Sequence, residues 1–500
     1  MKNINKILSL LIFSSLLCSV SCKKSLEKLP YNAIAEEMSF LTPLDFDNAV
    51  RGMYRPTTLR PNGITPVSTY FGGSSGADII IMPDLLADNL IVNTAGRNTH
   101  LEDHYWYYNA NRTSTLFEDA YIMIRRANAV LANIDNGVIT GTKKDNYKGE
   151  ALVMRAWMHF NLACMYCKVP SANIFNPGFI NSSVDLGIPY VTSLDFKELP
   201  ARGSIGDTYN KIVDDLATAE ELVPTANAVE NGRWHKAAVA GLLAKVYLYM
   251  GQWQNAVDAA TRSLALNNNV GTPTDLANIW TDATSTGVLF KVKVLDADNV
   301  TPGVAYSQPD GTSFNSEYVC TFDLYQLYSN TDVRKNIYVK SLPHGGANRL
   351  HIVKHVGRAT GNANVVDIKL LRVADVLLIR AEASARLGNM SAAVTDLNTL
   401  RQNRYNPYVA YVFTTQAALI NEILLQRRLE LAFEGQRFYD LKRLNRSVSR
   451  DPNFGDQADG NGEPFSEAAV QMDSTDHRMQ LPFPQIEINT NSNFKQNPGY

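Results

Sequence analysis

Two histidine pairs stand four residues apart, the spacing that some zinc sites use. His100 and His104 enclose the sequence HLEDH, which differs from the zinc motif HExxH and from its inverse HxxEH, and the residues around it are typical of loops. His351 and His355 lie in strand-like sequence, where positions i and i+4 are about 13 Å apart. Neither pair predicts a zinc site, and we predict no bound metal.

The sequence offers little evidence for an enzyme: one turn is rich in carboxylates, and two common nucleotide-binding motifs are absent. Residues 455–464, GDQADGNGEP, include Asp456, Asp459 and Glu463, which could bind calcium but do not follow the EF-hand spacing, so we interpret them as an acidic turn. The chain carries no P-loop and no GxGxxG before a helix. A glycosidase would need two carboxylates about 5 to 10 Å apart in a cleft. We predict a protein that is not an enzyme and needs no cofactor.

The chain has 5 cysteines, and their arrangement does not indicate a disulfide framework. Cys18 and Cys22 belong to the N-terminal segment, which leaves Cys164, Cys167 and Cys320, an odd number. Cys164 and Cys167 have the spacing of a redox motif. They lie in RAWMHFNLACMYCKVP, a predicted helix, without the strand and turn that a thioredoxin-like site needs. The sequence favours packing of both side chains on a helix face.

The most charged segment is LELAFEGQRFYDLKRLNR, residues 429–446. The net charge of the whole chain is only −2, and acids compensate the bases within the segment, so we predict no nucleic-acid partner. Three acid–base pairs stand three residues apart along the predicted helices: Arg427–Glu430, Glu434–Arg437 and Asp440–Arg443. These pairs predict a charged, partly buried helix junction.

The first 21 residues have the pattern of an export signal. A charged start precedes an apolar run at 7–17 that is too short to span a bilayer, and Ser21 comes directly before Cys22. This pattern predicts a lipoprotein signal peptide at 1–21 and lipidation of Cys22, whose acyl chains would anchor the protein in a membrane. An ordinary secretory peptide is the alternative. No other run of about 18 apolar residues follows.

Helical spacing of apolar residues dominates two parts of the chain, 117–266 and 369–446. When Gly251 is aligned with Gly388, alanines match seven residues before and five residues after each glycine. Small residues before a turn glycine and on the next helix let two helices pack closely, as in tetratricopeptide pairs. We predict a mostly α fold with helix pairs of this kind; generic helical hairpins are the alternative. Asp207 is the predicted N-cap of one helix.

Two other segments, 56–116 and 267–368, are rich in Gly, Asn, Thr and Pro. Short alternating runs within them, such as VLFKVKV, predict strands. Both segments are too long to be simple connections, and long loops often carry function. The sequence therefore predicts one domain over 22–500, in which a helical scaffold carries two irregular, loop-rich segments with short strands. A C-terminal tail at 447–500 completes it.

Several motifs resemble the SusD/RagB family of bacterial glycan-uptake lipoproteins. The family hallmark REL-FEG-R-YDLKR is similar to RLE at 428–430, FEG at 433–435, Arg437 and YDLKR at 439–443. Further similar segments are 24–30, RAN at 126–128, MRAWMHFNL at 154–162, LLRVADVLLIRAEASARLG at 370–388 and QNPGY at 496–500. The resemblance extends over nearly the whole mature chain.

This resemblance implies a fold of about four tetratricopeptide-type helix pairs with an irregular, loop-rich ligand-binding half. It also implies a binding protein without catalysis. It implies that the protein binds a glycan at the outer surface of Bacteroidota and sits as a lid on a TonB-dependent outer-membrane transporter, to which it delivers the glycan. Lys23 and Lys24 stand where surface-exported lipoproteins usually carry acidic residues, so a periplasmic location stays open. A peptide or another nutrient as the ligand, and a helical-repeat adaptor for proteins, are the alternative functions.

A sugar offers an apolar C–H face to an aromatic ring and hydroxyl groups to polar side chains. Both kinds of residue occur in the two loop-rich segments, and the predicted ligand-binding residues are Tyr70, Asp84, Arg97, Trp106 and Tyr107 in the first segment, and Trp280, Tyr306, Tyr318 and Asn364 in the second. For each aromatic ring the alternative is packing in the core. Trp157, Trp234 and Trp253 lie on predicted helices and are expected in the core.

Overall fold

The computed structural model describes residues 39–54, 77–97, 99–108, 115–225, 229, 232–298 and 300–500. Contacts divide the chain into two compact units, 1–48 and 49–500. In the first unit, the ring of Phe40 lies 4.9 Å from that of Phe46. The amide N–H of Thr42 donates to the Asp45 carboxylate over 2.7 Å at the start of the first helix.

Helices make up most of the regular structure in the described part of the chain. In chain order they are α1 (Pro43–Met53), α2 (Asp78–Leu85), α3 (Leu101–His104), α4 (Thr115–Asn133), α5 (Gly141–Tyr166), α6 (Ala172–Phe175), α7 (Ile205–Leu222), α8 (Lys236–Met250), α9 (Trp253–Leu266), α10 (Pro273–Ile279), α11 (Phe322–Leu327), α12 (Arg334–Tyr338), α13 (Val373–Arg386), α14 (Met390–Arg401), α15 (Gln416–Glu430), α16 (Arg437–Arg443) and α17 (Gln485–Thr490). None of these helices is both long and apolar enough to cross a membrane.

The scaffold helices pack one on the next. Helix α4 packs on α5, α5 on α7, α7 on α8, α8 on α9, α9 on α13, and α13 on both α14 and α15. Gly251 and Gly388 follow α8 and α13 with φ of 74° and 86°, a left-handed turn that a glycine makes without strain. The four aligned alanines, Ala244, Ala256, Ala381 and Ala393, are fully buried. The predicted mostly helical, tetratricopeptide-like fold is confirmed.

Five antiparallel strand pairs supplement the helices within the described residues. The strands are β1 (Leu90–Val92), β2 (Val288–Val292), β3 (Gln308–Asp310), β4 (Ser313–Asn315), β5 (Tyr318–Cys320), β6 (Val339–His344), β7 (Ala347–Ile352), β8 (Ile368–Arg372), β9 (Val448–Ser449) and β10 (Gln471–Met472). Strand β1 pairs with β5, so the first loop-rich segment is joined to the second. Strand β2 pairs with β8, which leads directly into α13.

Two helix-level predictions need correction. Ser204, not Asp207, is the N-cap of α7, and its hydroxyl accepts a hydrogen bond from the Asp207 N–H over 3.0 Å. Trp157 and Trp234 are in the core as predicted, but Trp253 is half-buried and lies 5.1 Å from the Arg386 guanidinium. Trp253 opens α9, where one side of the helix faces solvent.

The charged junction is buried, and most of its ion pairs join residues far apart in sequence. Of the three predicted pairs, only Asp440–Arg443 forms, with 2.7 Å between the charged atoms. Glu430 instead pairs with Arg334, Arg372 and Arg404, Glu434 with Arg372 and Lys354, Arg427 with Asp375 and Asp440, and Arg437 with Asp88. Burial explains the difference. A buried charge needs a charged partner, and here the neighbouring packed elements supply most of the partners.

The cysteines pack in the interior. Cys164, Cys167 and Cys320 are buried and free. Burial raises the pKa of Cys164 to about 12, so the reactive thiolate is scarce at neutral pH. We expect these three thiols to resist iodoacetamide in the native protein and to react after unfolding, as measured by mass spectrometry of peptides. Rapid labelling of native Cys164 would contradict this assignment.

Candidate ligand-binding surface

The loop between β1 and α3 is tied to β5 by a buried carboxylate. Glu317 is almost fully buried and accepts a hydrogen bond from Arg97 Nε over 3.0 Å, while the Arg97 side chain remains 53% exposed. The other carboxylate oxygen of Glu317 accepts from the Thr99 N–H over 2.9 Å. An exposed cation is thus held in a defined position by a partner that solvent does not reach.

The start of the same loop is fixed by contacts to two other segments. The Asn93 side-chain amide donates to the Ser316 carbonyl over 2.7 Å, and the Thr94 N–H donates to Asp456 over 3.0 Å. Asp456 is buried and also pairs with Arg349 of β7. Gly96 approaches β5 so closely that a Cβ there would lie 2.6 Å from the Ser316 carbonyl oxygen, which excludes any larger residue.

An unusual helix end sets the direction of three consecutive aromatic residues. Helix α3 ends in a Schellman arrangement, in which the Trp106 N–H donates to the Asp103 carbonyl and the Tyr107 N–H to the Glu102 carbonyl, over 3.0 and 2.8 Å. Trp106 has φ of 59° at the position that glycine usually occupies. A tryptophan there is rare and strained, and such strain is typical of functional sites.

Trp106 is held by its own buried contacts. Its Nε1 donates to the Leu86 carbonyl over 3.1 Å, and the guanidinium of Arg450 lies 4.3 Å from its ring. Arg450 is buried and donates to the carbonyls of Leu85, Ala87, His104 and Ala469. Burial lowers the pKa of Arg450 to about 9. Arg450 of the C-terminal segment therefore holds Trp106 and the end of α3 in place.

The residues on either side of Trp106 point outward. Tyr107 is 54% exposed and Tyr105 is half-buried, and their rings meet edge to face with centroids 6.0 Å apart. We use the name Arg97–Tyr107 surface for three exposed or half-buried residues around α3, which are Arg97, Tyr105 and Tyr107. Rings of this kind provide an apolar contact area with polar hydroxyl groups, and the guanidinium adds fixed hydrogen-bond donors.

The structure separates the nine predicted ligand-binding residues. Arg97, before α3, and Tyr107, after α3, are exposed, and Tyr70 lies outside the described residues. The other six are buried: Asp84, Trp106, Trp280, Tyr306, Tyr318 and Asn364. Buried side chains offer little free face to a sugar, so in this structure these six do not belong to the exposed surface.

The buried candidates make contacts inside the protein, and two of these contacts join the two loop-rich segments. The Tyr306 hydroxyl donates to Asp84 over 2.7 Å, and the Tyr318 hydroxyl donates to the Thr99 carbonyl over 2.5 Å. Asn364, with φ of 60°, donates to the Ser307 carbonyl over 2.6 Å. Trp280 has the Lys354 ammonium 4.7 Å from its ring centroid. These residue types are common in sugar-binding sites, but here their side chains contact other atoms of the protein.

Two residues that shape this site, Tyr105 on the surface and Glu317 beneath Arg97, are not predicted by the sequence. Tyr105 stands next to Trp106 in HYWYY. Because the helix end turns the Trp106 ring inward, the rings of Tyr105 and Tyr107 remain accessible to solvent. Glu317 carried no local signal, because its partners Arg97 and Thr99 are more than two hundred residues away in sequence.

The polar clusters considered for metals have protein partners. His104 is buried, its Nδ1 lies 3.0 Å from the Leu85 carbonyl oxygen, and burial lowers its pKa well below the usual value. Asp459 accepts from the N–H of Asn461 over 3.0 Å and so closes the acidic turn. Within the described ranges no group of three or more His, Cys, Asp or Glu is placed to hold a metal ion.

These features define a class of protein: a tetratricopeptide-like helical scaffold that displays an aromatic and cationic surface on loops. Comparison with known proteins makes the class specific. The family model described as "SusD family" matches residues 246–500, and the model described as "Starch-binding associating with outer membrane" matches residues 63–248. The chain belongs to the SusD family.

Similar proteins span nearly the full chain. SusD-like protein P2 of Formosa agariphila is 24% identical and aligns over 97% of this chain and 98% of its own length. The structure of a putative sugar-binding protein from Bacteroides vulgatus has a TM-score of 0.77 at 23% identity and covers 92% of this chain and 99% of its own. A laminarin-binding SusD-like protein has a TM-score of 0.67 at 18% identity, with 92% and 100% covered. These structures share the fold.

Proposed function

We propose that this protein binds an oligosaccharide or polysaccharide at the outer membrane and delivers it to a TonB-dependent transporter, with no catalytic step of its own. The observation that carries the proposal is the Arg97–Tyr107 surface, with two outward tyrosine rings and a guanidinium held by buried Glu317. The rings suit the C–H faces of sugar residues, and the guanidinium and phenol groups suit their hydroxyls.

The arrangement of the surface supports a binding role. Preorganised side chains lose less conformational entropy when a ligand binds. Arg97 is fixed by Glu317, and the tyrosines are fixed by the helix end at Trp106, so little of the surface must be ordered by the ligand. A related fold, the laminarin-binding SusD-like protein, provides a precedent for a glycan as the ligand.

The membrane anchor is part of the same proposal. A lipid on Cys22 would tether the protein to the outer membrane, with the Arg97–Tyr107 surface on the side facing the cell exterior. Cys22 lies outside the described residues. Cys22→Ser removes the lipidated atom, so the variant should leave the membrane fraction, whereas the parent should stay in it and be cleaved by protease added to intact cells.

A charged ligand is the second candidate. The exposed fork of Arg97 can bind a carboxylate through two parallel hydrogen bonds, which suits an acidic polysaccharide and also an acidic peptide or another acidic nutrient. A helical-repeat adaptor that binds only protein would leave the Arg97–Tyr107 surface without a ligand.

The test is a panel of neutral and acidic polysaccharides, oligosaccharides and peptides against the Cys22→Ser chain, by affinity electrophoresis and calorimetry. We expect a glycan to bind, and Tyr107→Ala to weaken it about tenfold, which is about 1.4 kcal/mol. Arg97→Ala should weaken acidic ligands more than neutral ones.

The matched control for Tyr107→Ala is Phe196→Ala, which removes another exposed ring, 83% accessible, before α7. Phe196→Ala should leave binding unchanged. Glycan binding that survives the double substitution Arg97→Ala, Tyr107→Ala would place the site elsewhere. Binding of peptides alone would contradict the glycan proposal, and release of shortened sugars would contradict the absence of catalysis.

A further inference from the structure

A groove of about 490 Å³ lies between α6, the end of α13, the first half of α15 and the chain that follows α16. Six of its lining residues define what we call the Arg446 groove: Phe175, Ile420, Leu424, Leu444, Arg386 and Arg446. Leu424 and Leu444 are buried, Phe175 is 37% exposed and Ile420 is half-buried. The groove combines an apolar lining with two cations, and its volume lies in the range of small-molecule sites.

Arg446 carries a charge that the protein does not balance. The residue is exposed, and within the described part of the chain its side chain forms no ion pair and no hydrogen bond. Partial desolvation by neighbouring atoms and the cations Arg437, Arg443 and Arg386 lower the pKa of Arg446, whereas Glu382 raises it. Arginine stays charged at neutral pH all the same, so its positive charge lies among other positive charges.

The carboxylates next to Arg446 are bound to other arginines. Glu382 accepts hydrogen bonds from Arg443 over 2.7 Å and from Arg386 over 2.7 Å. Asp440 pairs with Arg443, also over 2.7 Å. Arg446 is therefore the surplus cation of this region, and its planar fork of donors can bind a carboxylate through two parallel hydrogen bonds.

Arg386 adds a second cation in a fixed orientation. Its Nε and Nη2 donate to Glu382 over 2.9 and 2.7 Å. Its guanidinium lies 4.8 Å from the ring centroid of Phe175 and 5.1 Å from that of Trp253. Its Nη1 makes no hydrogen bond to any residue that the structure describes. The groove thus offers donors of two arginines beside aliphatic and aromatic carbon.

We propose that the Arg446 groove binds a small anionic amphiphile, a molecule in which a carboxylate is attached to an apolar body. The carboxylate pairs with Arg446, with Arg386 beside it, and the apolar body covers Ile420, Leu424 and Phe175. An anion without the apolar body would leave this lining in water, and a neutral apolar molecule would leave the charge of Arg446 unbalanced, so both parts of the ligand contribute.

The size of the groove favours a small molecule over a protein partner. Its volume matches one small ligand, whereas a stable protein interface buries about 800 Å² on each partner. The Arg446 groove shares no residue with the Arg97–Tyr107 surface, so the inference does not depend on the proposed glycan binding.

Calorimetry of the otherwise complete Cys22→Ser chain with octanoate tests the proposal. Acetate and octan-1-ol serve as probes that each carry only one part of the ligand. We expect octanoate to bind, and the other two to bind at least about tenfold more weakly. Arg446→Gln removes the surplus charge and should weaken octanoate about tenfold or more. Ile420→Asn replaces part of the apolar lining and should weaken octanoate as well.

Lys340→Gln is the matched control for Arg446→Gln. Lys340 of β6 is another exposed cation without an ion pair among the described residues, so its replacement should leave octanoate binding unchanged. Arg446→Gln should leave glycan binding unchanged, which separates the Arg446 groove from the Arg97–Tyr107 surface.

Several results would overturn the proposal. These are an absence of octanoate binding, equal affinities for octanoate and octan-1-ol, and equal octanoate affinities of the Arg446→Gln and Lys340→Gln variants. The peptide acetyl-glycyl-glycyl-leucine carries the same chemistry at the end of a polypeptide. If it bound more tightly than octanoate and lost its affinity in Arg446→Gln, the groove would take a protein terminus instead of a small molecule.

Discussion

Glu430→Gln should lower the free energy of unfolding by about 3 to 5 kcal/mol, the range found when one partner of a buried ion pair is removed. Glu430 is fully buried and accepts hydrogen bonds from Arg372 over 2.8 Å, Arg404 over 2.9 Å and Arg334 over 3.3 Å. Burial alone would raise its pKa, but the arginines outweigh burial and hold the pKa well below the usual value. The carboxylate is therefore charged at neutral pH.

The charge balance of the cluster explains the size of the effect. Its cations are Arg334, Arg372, Arg404 and Lys354, and its carboxylates are Asp332, Glu430 and Glu434. Glutamine keeps the shape but not the charge, so four buried cations would share two carboxylates. Urea unfolding followed by circular dichroism measures the loss.

Asp135→Asn provides the control for an exposed ion pair. Asp135 pairs with Lys144 over 2.6 Å, but its side chain is 69% accessible, so its removal should change stability little. If Glu430→Gln and Asp135→Asn changed the free energy of unfolding equally, the buried cluster would not stabilise the fold as argued.

The contrast between the repeats and this cluster shows what sequence supports. Gly251 and Gly388 were recognisable because a turn glycine and its neighbouring alanines are local signals with helical spacing. The partners of Glu430 were not, because Arg334 and Arg372 stand 96 and 58 residues away and meet it only when the helical scaffold closes on the insertion. The sequence of a charged helix predicted ion pairs along that helix. In the folded protein most of these charges are buried and pair with residues of other elements instead.

The candidate surface shows the same limit. Loop-rich composition located the segment that carries Arg97 and Tyr107, since loops held by a scaffold often bind ligands. Composition cannot tell which ring of Tyr105, Trp106 and Tyr107 faces solvent. That choice depends on one backbone angle, the φ of 59° at Trp106, and on Arg450, which lies more than three hundred residues away.

Asp84→Asn should stabilise the protein at neutral pH, and the gain should grow as pH rises from about 4 to 7. Asp84 is fully buried, accepts from the Tyr306 hydroxyl over 2.7 Å and from the Gly435 N–H over 3.2 Å, and has one carboxylate oxygen without a hydrogen-bond partner in the described part of the chain. Burial raises the pKa of Asp84 to about 7, against about 3.9 in an unfolded chain.

The sign follows from proton binding. Between the two pKa values the folded chain holds a proton that the unfolded chain has lost, so stability falls as pH rises through this window. About three pKa units correspond to about 4 kcal/mol, which sets the upper limit of the gain at pH 7.5. Two neighbouring groups also titrate. Burial lowers the pKa of Lys354 to about 8, so Lys354 stays mostly charged between pH 4 and 7. Burial lowers the pKa of His355 to about 4, but His355 is present in both the parent and Asp84→Asn, so its contribution cancels in the comparison.

Asp88→Asn, four residues further on, provides a control of opposite sign. Burial would raise the pKa of Asp88, but Arg428 and Arg437 outweigh it and hold the pKa well below the usual range. Its charged form stabilises the fold, so Asp88→Asn should destabilise the protein at neutral pH and less so as pH falls below 4. Urea unfolding of both variants and the parent from about pH 3 to 7.5 measures the difference. If the effect of Asp84→Asn did not vary with pH, the Asp84 carboxyl would not titrate in this range. Its hydrogen bond from the Gly435 N–H would then not depend on the protonation of Asp84.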